Sequence, residues 1–279
     1  MTIVVTGATG HLGRLTIQSL LAKGVPASEI VGLGRQVDKI ADLGVTVKQV
    51  SYDDPASLRA AFEGADKVLF ISGSEVGRRI EQHRNVVDAA KAANVGLLVY
   101  TSAPKADTTD MRLAAEHLET EKMIVESGLP YTFLRNGWYT ENYNIEQVLE
   151  YGLFGAAGDG KISAVPRADL AEAAAVVLTT DGHENKVYEL GGDPFTLPEL
   201  AAEIARQSGR PVTYTDLGEE KYGEMLVGVG LPEAFAAILA DSDRAASHGA
   251  LFVPADTLAS LIGRPVTPVA TWVAAALKA

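Results

Sequence analysis

The feature that most constrains the fold of this chain is a glycine-rich loop close to its start. The apolar run Ile3–Val5 stops before Gly7, and further glycines follow at Gly10 and Gly13. Apolar residues then recur at helical spacing over Leu12–Leu21. A strand that turns tightly through glycines into a helix is typical of a dinucleotide-binding loop. There, phosphates bind to the unpaired N–H groups at the helix N-terminus.

Short apolar runs continue to alternate with helical patterns through the first half of the chain. Strands that are apolar on both faces and separated by helices indicate a parallel sheet covered on both sides. The predicted strands are Ile3–Val5, Ile30–Leu33, Val45–Val47, Val68–Ile71, Leu97–Tyr100 and Tyr131–Leu134, and the predicted helices are Leu12–Leu21, Pro55–Phe62, Gly77–Ala93 and Met111–Ser127. This repeated β-α-β order predicts an α/β fold with a doubly wound parallel sheet of the Rossmann type.

The regular order loosens after about Tyr143, where glycines at 152, 155, 158 and 160 mark turns. The elements predicted beyond them are the helix Ala168–Leu178, the strand Val187–Leu190, the helix Pro198–Gln207, the strand Val212–Tyr214, a helical stretch Leu217–Leu239 and the helix Val269–Leu277. We expect an NAD(P)-binding Rossmann domain over residues 1–150 and a smaller, substrate-side α/β lobe over residues 151–279. Some segments of this lobe are expected to return to the Rossmann sheet.

Composition excludes several other classes of function. The chain has no cysteine, which removes disulfides, thiolate metal sites and a cysteine nucleophile. Its formal charge of −12 repels nucleic acid, and no apolar run approaches the roughly 20 residues of a membrane span. The five histidines lack metal-ligand spacing, and nothing indicates a flavin. We therefore expect a cytoplasmic enzyme without a metal, with a homodimer left open.

Two positions bear on the choice of cofactor. Arg35 follows the second predicted strand, where an acid would accept hydrogen bonds from the ribose of NAD and an arginine suits the 2′-phosphate of NADP. Arg35 therefore favours NADPH, with NADH as the alternative. Asp53 follows the third strand and either receives the adenine amino group or caps the next helix. Ser72, Gly73 and Ser74 follow the fourth strand at the edge where cofactors bind.

Several longer motifs are spread over nearly the whole chain. They are Thr6–Gly13, Ser74–Gly77, Gln82–Val86, Glu116–Lys122, Leu134–Tyr143, Ala156–Ile162, Arg167–Asp169 and Leu239–Asp243. Together these motifs resemble the NmrA-like atypical short-chain dehydrogenases. Within that family the resemblance is strongest to the bacterial NAD(P)H:quinone oxidoreductases of the second type, with the triphenylmethane reductases as relatives.

The resemblance implies a larger set of NADPH-binding residues than spacing alone indicates. With Gly13 from the loop pattern and Asp53 from its place after the third strand, the set is Gly7, Ala8, Thr9, Gly10, His11, Leu12, Arg35, Asp53, Ser72, Gly73, Ser74, Glu75, Asn136, Gly137, Trp138, Tyr139, Asn142 and Arg167. Asn136 and Gly137 would approach the nicotinamide. Trp138 and Tyr139 would line the substrate pocket, or else they are core aromatics.

The catalytic pair of ordinary short-chain dehydrogenases, Tyr-x-x-x-Lys, is absent from its expected place. His117 and Glu121 occupy the two positions, and only Ser102 matches the serine of the family pattern. Ketone reduction leaves an alkoxide that needs a strong proton donor, whereas a quinone gives a stabilised hydroquinone anion. Candidate catalytic residues are therefore Ser102 and His117, the latter as a weak acid or as a buried histidine with a structural hydrogen bond.

Three functions are compatible with these residues. The leading hypothesis is an NAD(P)H-dependent oxidoreductase that transfers a hydride to a quinone or a related polycyclic aromatic acceptor. A second is tailoring of an aromatic polyketide, in which reduction to a dihydroquinone leads to oxygen-dependent hydroxylation. A third is a non-catalytic sensor of the NADP redox state, as in the NmrA regulator itself.

Overall fold

The computed structural model describes residues 1–278. Its strands are β1 (Ile3–Val5), β2 (Ile30–Gly34), β3 (Thr46–Gln49), β4 (Lys67–Phe70), β5 (Leu97–Ser102), β6 (Tyr131–Asn136), β7 (Leu153–Gly155), β8 (Lys186–Leu190) and β9 (Tyr214–Asp216). Its α-helices are α1 (His11–Ala22), α2 (Pro55–Phe62), α3 (Arg79–Ala92), α4 (Arg112–Ser127), α5 (Ile145–Tyr151), α6 (Arg167–Thr179), α7 (Leu197–Ser208), α8 (Gly218–Gly228), α9 (Glu233–Ser247), α10 (Asp256–Ile262) and α11 (Val269–Ala276). Short 3₁₀ helices occur at Ala27–Glu29, Val37–Leu43 and Thr140–Asn142.

The main sheet has seven strands in the order β3-β2-β1-β4-β5-β6-β8. Strand β1 pairs in parallel with β2 on one side and with β4 on the other. The strand order therefore reverses at β1, and ligands bind at the carboxyl ends of strands at such a switch point. All six strands predicted in the first half are present, and the Rossmann-type α/β fold is confirmed.

The centre of the sheet is buried because its inner strands are mostly apolar on both faces, whereas the edge strands β3 and β8 are largely exposed. Every residue of β1, β2 and β5 is buried. Phe62, Phe70 and Tyr100 are each 0% exposed and are among the largest side chains of this core. Full burial of one such side chain contributes about 1.5–3 kcal/mol, so the core holds the strand ends in a fixed frame.

The chain forms two compact units, and both are discontinuous in sequence. Unit 1 consists of Met1–Ala103, Glu116–Arg135 and Arg167–Tyr188. Unit 2 consists of Pro104–Ala115, Asn136–Pro166 and the residues from Glu189 onward. In unit 2, β7 and β9 form a small parallel sheet. The domain boundary at residue 150 stays a prediction.

Two predicted elements of unit 2 differ from the structure. The strand predicted at Val212–Tyr214 lies at Tyr214–Asp216. The helical stretch Leu217–Leu239 is two helices, α8 and α9, rather than one. Gly230 adopts a left-handed conformation with φ +95°, and Pro232 caps the N-terminus of α9. A glycine with positive φ ends a helix, and a proline two residues later cannot continue it. No helix within residues 1–278 is long and apolar enough to cross a membrane.

Candidate cofactor site and active-site residues

The glycine-rich loop has the geometry that a dinucleotide phosphate requires. Gly7 turns out of β1 with φ +59°, and Gly10 is the N-cap of α1 with no side-chain cap. A Cβ on Gly13 would lie 2.5 Å from the carbonyl oxygen of Gly7 and 2.7 Å from Cα of Ala8. Helix α1 therefore packs directly against the loop. The N–H groups at the start of this helix and the helix dipole favour a phosphate group.

Unit 1 contains a cleft of about 690 Å³ at the carboxyl ends of its strands. Many of the predicted cofactor residues line it: Gly7, Thr9, Gly10, Arg35, Asp53, Ser72, Gly73, Ser74 and Glu75. Ala8 and Leu12 are buried, and His11 is exposed at the start of α1. The structure thus brings the loops after β1, β2, β3 and β4 to one cleft, as the parallel topology requires.

Opposite charges alternate at the mouth of this cleft. The Arg35 guanidinium lies 3.1 Å from a Glu75 carboxylate oxygen and is 69% exposed. The Arg78 guanidinium contacts Glu75 at 3.2 Å and Asp53 at 2.7 Å. Such exposed pairs contribute little stability, so Arg35 remains available for an anion. Asp53 does not cap α2, because Asp54 accepts the hydrogen bonds from the first turn. The capping alternative for Asp53 is wrong.

Several residues of the cleft were missed by the sequence interpretation. Tyr52 and Gln82 also line it, and neither belongs to a phosphate-binding pattern. The Tyr52 hydroxyl contacts Thr6 Oγ1 and donates to the carbonyl of Ile71 at 2.7 Å. It therefore connects the strand ends of β1 and β4. An aromatic residue three positions after the end of β3 was the available signal, but its partners are distant in sequence.

Both candidate catalytic residues lie in unit 1. Ser102 ends β5, is 5% exposed, and its Oγ has no hydrogen-bond partner within residues 1–278. His117 lies in α4, is 6% exposed, and its Nδ1 is 2.8 Å from the Tyr100 hydroxyl. Burial, together with the nearby charge of Arg79, lowers the pKa of His117 to about 3. The imidazole is therefore uncharged at neutral pH, which favours the structural alternative.

The predicted segment after β6 belongs to unit 2. The Gly137 N–H donates to the carbonyl of Leu190 at 2.8 Å, and a Cβ on Gly137 would lie 2.8 Å from that oxygen. Only glycine fits this close backbone approach. Trp138 and Tyr139 are half-buried, and Asn142 is exposed. In unit 1, Arg167 begins α6 and is half-buried.

Two buried polar atoms bear on whether the residues present suit a nicotinamide cofactor. Ser102 Oγ in unit 1 and Asn136 Oδ1 in unit 2 are buried without a partner in the described part of the chain. Buried polar atoms in native proteins nearly always have one, so each of these atoms needs a ligand or an ordered water as its partner. The Ser102 hydroxyl of unit 1 can hydrogen-bond either to the carboxamide of a nicotinamide cofactor or to an oxygen of the acceptor. Residues 1–278 contain no cluster of acidic residues and histidines that could hold a metal ion.

Comparisons with known proteins agree with this site. The profile of the NAD(P)H-binding family matches residues 7–181. Quinone oxidoreductase 2 of Escherichia coli (strain K12) is 54% identical over 275 residues, which cover 96% of each protein. A crystal structure of the E. coli NADPH-dependent quinone oxidoreductase with NADPH superimposes with a TM-score of 0.95 and 52% identity, covering 99% of this chain and 100% of that one.

Two further relatives extend the comparison. The triphenylmethane reductase of Citrobacter sp., solved with NADP(H), matches with a TM-score of 0.92 and 43% identity over 99% of this chain and 100% of that one. An NmrA-like family domain-containing oxidoreductase of Aspergillus flavus is 30% identical over 96% of this chain and 92% of its own length. This chain belongs to the NmrA-like, NAD(P)H-binding family. The predicted resemblance and the nicotinamide cofactor are confirmed.

Proposed function

We propose that this protein is an NADPH-dependent reductase that transfers a hydride to a quinone. The observation that carries this function is the 54% identity to quinone oxidoreductase 2 across nearly the whole of both chains. The cleft adds independent support, because Arg35 stands at its mouth with an exposed guanidinium. A planar guanidinium suits the 2′-phosphate that distinguishes NADPH from NADH.

The reaction needs positioning more than strong acid catalysis. When bound, reduced nicotinamide supplies a hydride, and a quinone that takes this hydride and one proton becomes a hydroquinone. We propose that the loop Gly7–Gly13 binds the phosphates. Contact of Asn136 and Gly137 with the nicotinamide stays a prediction. Ser102, with its buried and unpartnered hydroxyl, would donate a hydrogen bond to the acceptor oxygen. Correct placement of the two reactants contributes most of the rate enhancement.

We propose a structural role for His117. Its pKa of about 3 leaves it uncharged, and its Nδ1 is already paired with the Tyr100 hydroxyl. An imidazole that is uncharged at neutral pH is a poor general acid. We therefore propose that the proton comes from solvent, and that His117 supports the core through its contact with Tyr100. His117 as a direct proton donor stays a prediction.

The test mixes purified protein with NADPH and a panel of quinones and follows the absorbance of the reduced nicotinamide. We expect oxidation of NADPH only when a quinone is present. Ser102→Ala should lower kcat/KM for the quinone while the Kd for NADPH is unchanged. A raised Kd would instead assign Ser102 to the nicotinamide. His117→Ala that retains turnover would exclude this histidine as an essential acid.

The finer features of the function are also proposals. We propose that the acceptor is a quinone or a polycyclic aromatic molecule, that the enzyme acts in the cytoplasm, and that a homodimer is its assembly. Polyketide tailoring and redox sensing are not favoured, because the highly identical relatives above carry names of reductases. Tight binding of NADPH without oxidation by any quinone would return redox sensing to consideration.

A further inference from the structure

One face of helix α3 carries polar side chains that are almost fully buried. Arg79, Gln82 and His83 are 4%, 3% and 0% exposed, respectively. Residues of these types are rarely buried unless they have partners. The motif Gln82–Val86 belongs to the family resemblance, but no step of the proposed reaction uses it. The partners of these side chains therefore indicate the purpose of this face.

Two of these side chains bind one residue of the segment Ser72–Glu75, called the cleft loop below. His83 Nε2 accepts a hydrogen bond from the Gly73 N–H at 2.9 Å, and Arg79 Nε donates one to the Gly73 carbonyl at 2.8 Å. Both polar groups of Gly73 are thus held by α3. A Cβ on Gly73 would lie 3.2 Å from Gln82 Oε1, so the helix also contacts the loop closely.

The hydrogen-bond directions define the protonation state of His83. The Thr120 hydroxyl donates to the carbonyl of Glu116 at 2.8 Å, so its oxygen accepts from His83 Nδ1, also at 2.8 Å. The proton is therefore on Nδ1, and Nε2 is free to accept from Gly73. Burial lowers the pKa of His83 to about 2, which keeps this acceptor unprotonated. If His83 were protonated, its Nε2 would carry a proton that points at the Gly73 N–H and could not accept from it.

The second holder of the loop, Arg79, is itself fixed. Its guanidinium lies 3.1 Å from one carboxylate oxygen of Glu116, and the other oxygen accepts from the Gly77 N–H at 3.0 Å. Arg79 and Glu116 are only 5% and 17% exposed as side chains, so this pair is little screened by solvent. Helix α4 thereby fixes the far end of the segment that contains the cleft loop.

The same helix face also reaches the loop after β3. Gln82 Nε2 lies 3.3 Å from a carboxylate oxygen of Asp53 and 3.3 Å from one of Glu75. Asn85 Nδ2 donates to the carbonyl of Tyr52 at 2.9 Å. Two walls of the cleft are therefore bound to one rigid helix.

We propose that His83 and Arg79 are positioning residues for NADPH, which act by holding Gly73 and thus the shape of the cleft loop. They do not line the cleft, so their effect is transmitted through the backbone of this loop. The proposal rests on the assignment of Ser72–Glu75 to the cofactor site.

The test compares a variant that removes both hydrogen bonds of the His83 imidazole with a variant that removes only the one to Thr120. His83→Leu removes the acceptor for Gly73, whereas Thr120→Val removes the partner of Nδ1 and leaves the Gly73 contact in place. We expect the Kd for NADPH, measured by fluorescence titration, to rise about tenfold in His83→Leu, the effect of leaving a buried N–H unpaired. Thr120→Val should stay near the wild-type value. His83→Gln, whose amide oxygen can accept from Gly73, should restore most of the affinity.

Steady-state kinetics provide a second readout. In His83→Leu the KM for NADPH should rise while kcat at saturating NADPH stays close to wild type, because the reacting atoms are untouched. Arg79→Lys keeps a cation beside Glu116 and loses the Nε donor to Gly73, so it should raise the Kd in the same direction. If His83→Leu does not fold, the Kd of Arg79→Lys for NADPH tests the proposal in its place.

Three results would overturn the proposal. They are a wild-type Kd in folded His83→Leu, an equal rise in Thr120→Val, and, where His83→Leu does not fold, a wild-type Kd in Arg79→Lys. Failure of the wild-type protein to bind NADPH would instead refute the cofactor assignment and the proposed function. Binding of NADPH without quinone reduction would refute only the proposed reaction.

Discussion

The close approach of α1 to the phosphate-binding loop makes Gly13→Ala an informative perturbation. The added Cβ would lie 2.5 Å from the Gly7 carbonyl oxygen, 2.7 Å from Ala8 Cα and 2.9 Å from the Gly7 carbonyl carbon. All three are backbone atoms, so no side-chain rotation relieves the overlap. The Gly7 carbonyl has to retreat by about 0.9 Å to reach ordinary van der Waals contact at 3.4 Å.

The magnitude follows from two opposing effects. Alanine in place of glycine inside a helix gains about 0.5–1 kcal/mol of stability. Overpacking at a tight contact costs about 1–3 kcal/mol. We therefore expect Gly13→Ala to lower the free energy of unfolding by up to about 2.5 kcal/mol. The Kd for NADPH should rise by about tenfold or more, since the displaced loop carries the phosphate contacts.

Gly223→Ala is the matched control. Gly223 lies inside α8, and its added Cβ would meet only Ala240 Cβ, at an ordinary 3.7 Å. This variant should gain stability and bind NADPH with unchanged affinity. Urea unfolding and fluorescence titration measure the two quantities. Equal stability changes in the two variants, with unchanged NADPH affinity in Gly13→Ala, would refute the assignment of this loop.

Three further perturbations test separate features of the molecule. Arg35→Ser should reduce the preference for NADPH over NADH by about 10- to 100-fold, since hydrogen bonds to charged groups contribute about 1.5–3 kcal/mol; the ratio of kcat/KM values for the two cofactors measures it. Glu121→Gln should lower the free energy of urea unfolding by about 3–5 kcal/mol, because it leaves the guanidinium of Arg135 without its carboxylate in a pair whose side chains are 5% and 7% exposed. Acidification should also destabilise the protein, because the pKa values of His83 and His117 are lowered to about 2 and about 3. Below about pH 6.5 the unfolded state therefore binds more protons than the folded state. The free energy of unfolding falls by up to about 1.4 kcal/mol per pH unit for each histidine. Urea unfolding at a series of pH values from neutral downward should show this loss, and a pH-independent midpoint would contradict it.

The sequence alone predicted the elements that depend on residues close together in the chain. The alternation of apolar runs and helical patterns predicted β1, β2, β4, β5 and β6, because strands buried on both faces need apolar residues at most positions. The edge strand β3 is mostly exposed, and the predicted run Val45–Val47 overlaps only its start. The glycine spacing predicted the phosphate loop for a similar reason, since the tight turn and the helix contact lie within seven residues.

What the sequence left open depends on contacts between distant segments. Tyr52 joins Thr6 and Ile71 only because β1, β3 and β4 end at the same edge of the sheet. The roles of Asp53 and Asp54 could not be separated by spacing, since one residue of shift decides which carboxylate faces the helix end. Gly230 and Pro232 indicate the break between α8 and α9, which the prediction of one helical stretch did not include.

The same reasoning applies to the buried face of α3. The sequence places Arg79 and His83 one helical turn apart, which predicts a shared face. It does not show that this face meets the backbone of Gly73, because that depends on how the loop after β4 folds back over the helix. The relevant hydrogen bonds exist only in the folded structure.

The most direct test of the central claim is a single-turnover experiment under anaerobic conditions. Protein saturated with NADPH carrying deuterium at the transferred position of the nicotinamide is mixed with excess quinone, and both chromophores are followed. Hydride transfer to the quinone predicts equal amounts of NADP⁺ and hydroquinone, with a slower rate than for unlabelled NADPH. NADPH that stays reduced while firmly bound, with every quinone tried, would contradict the claim.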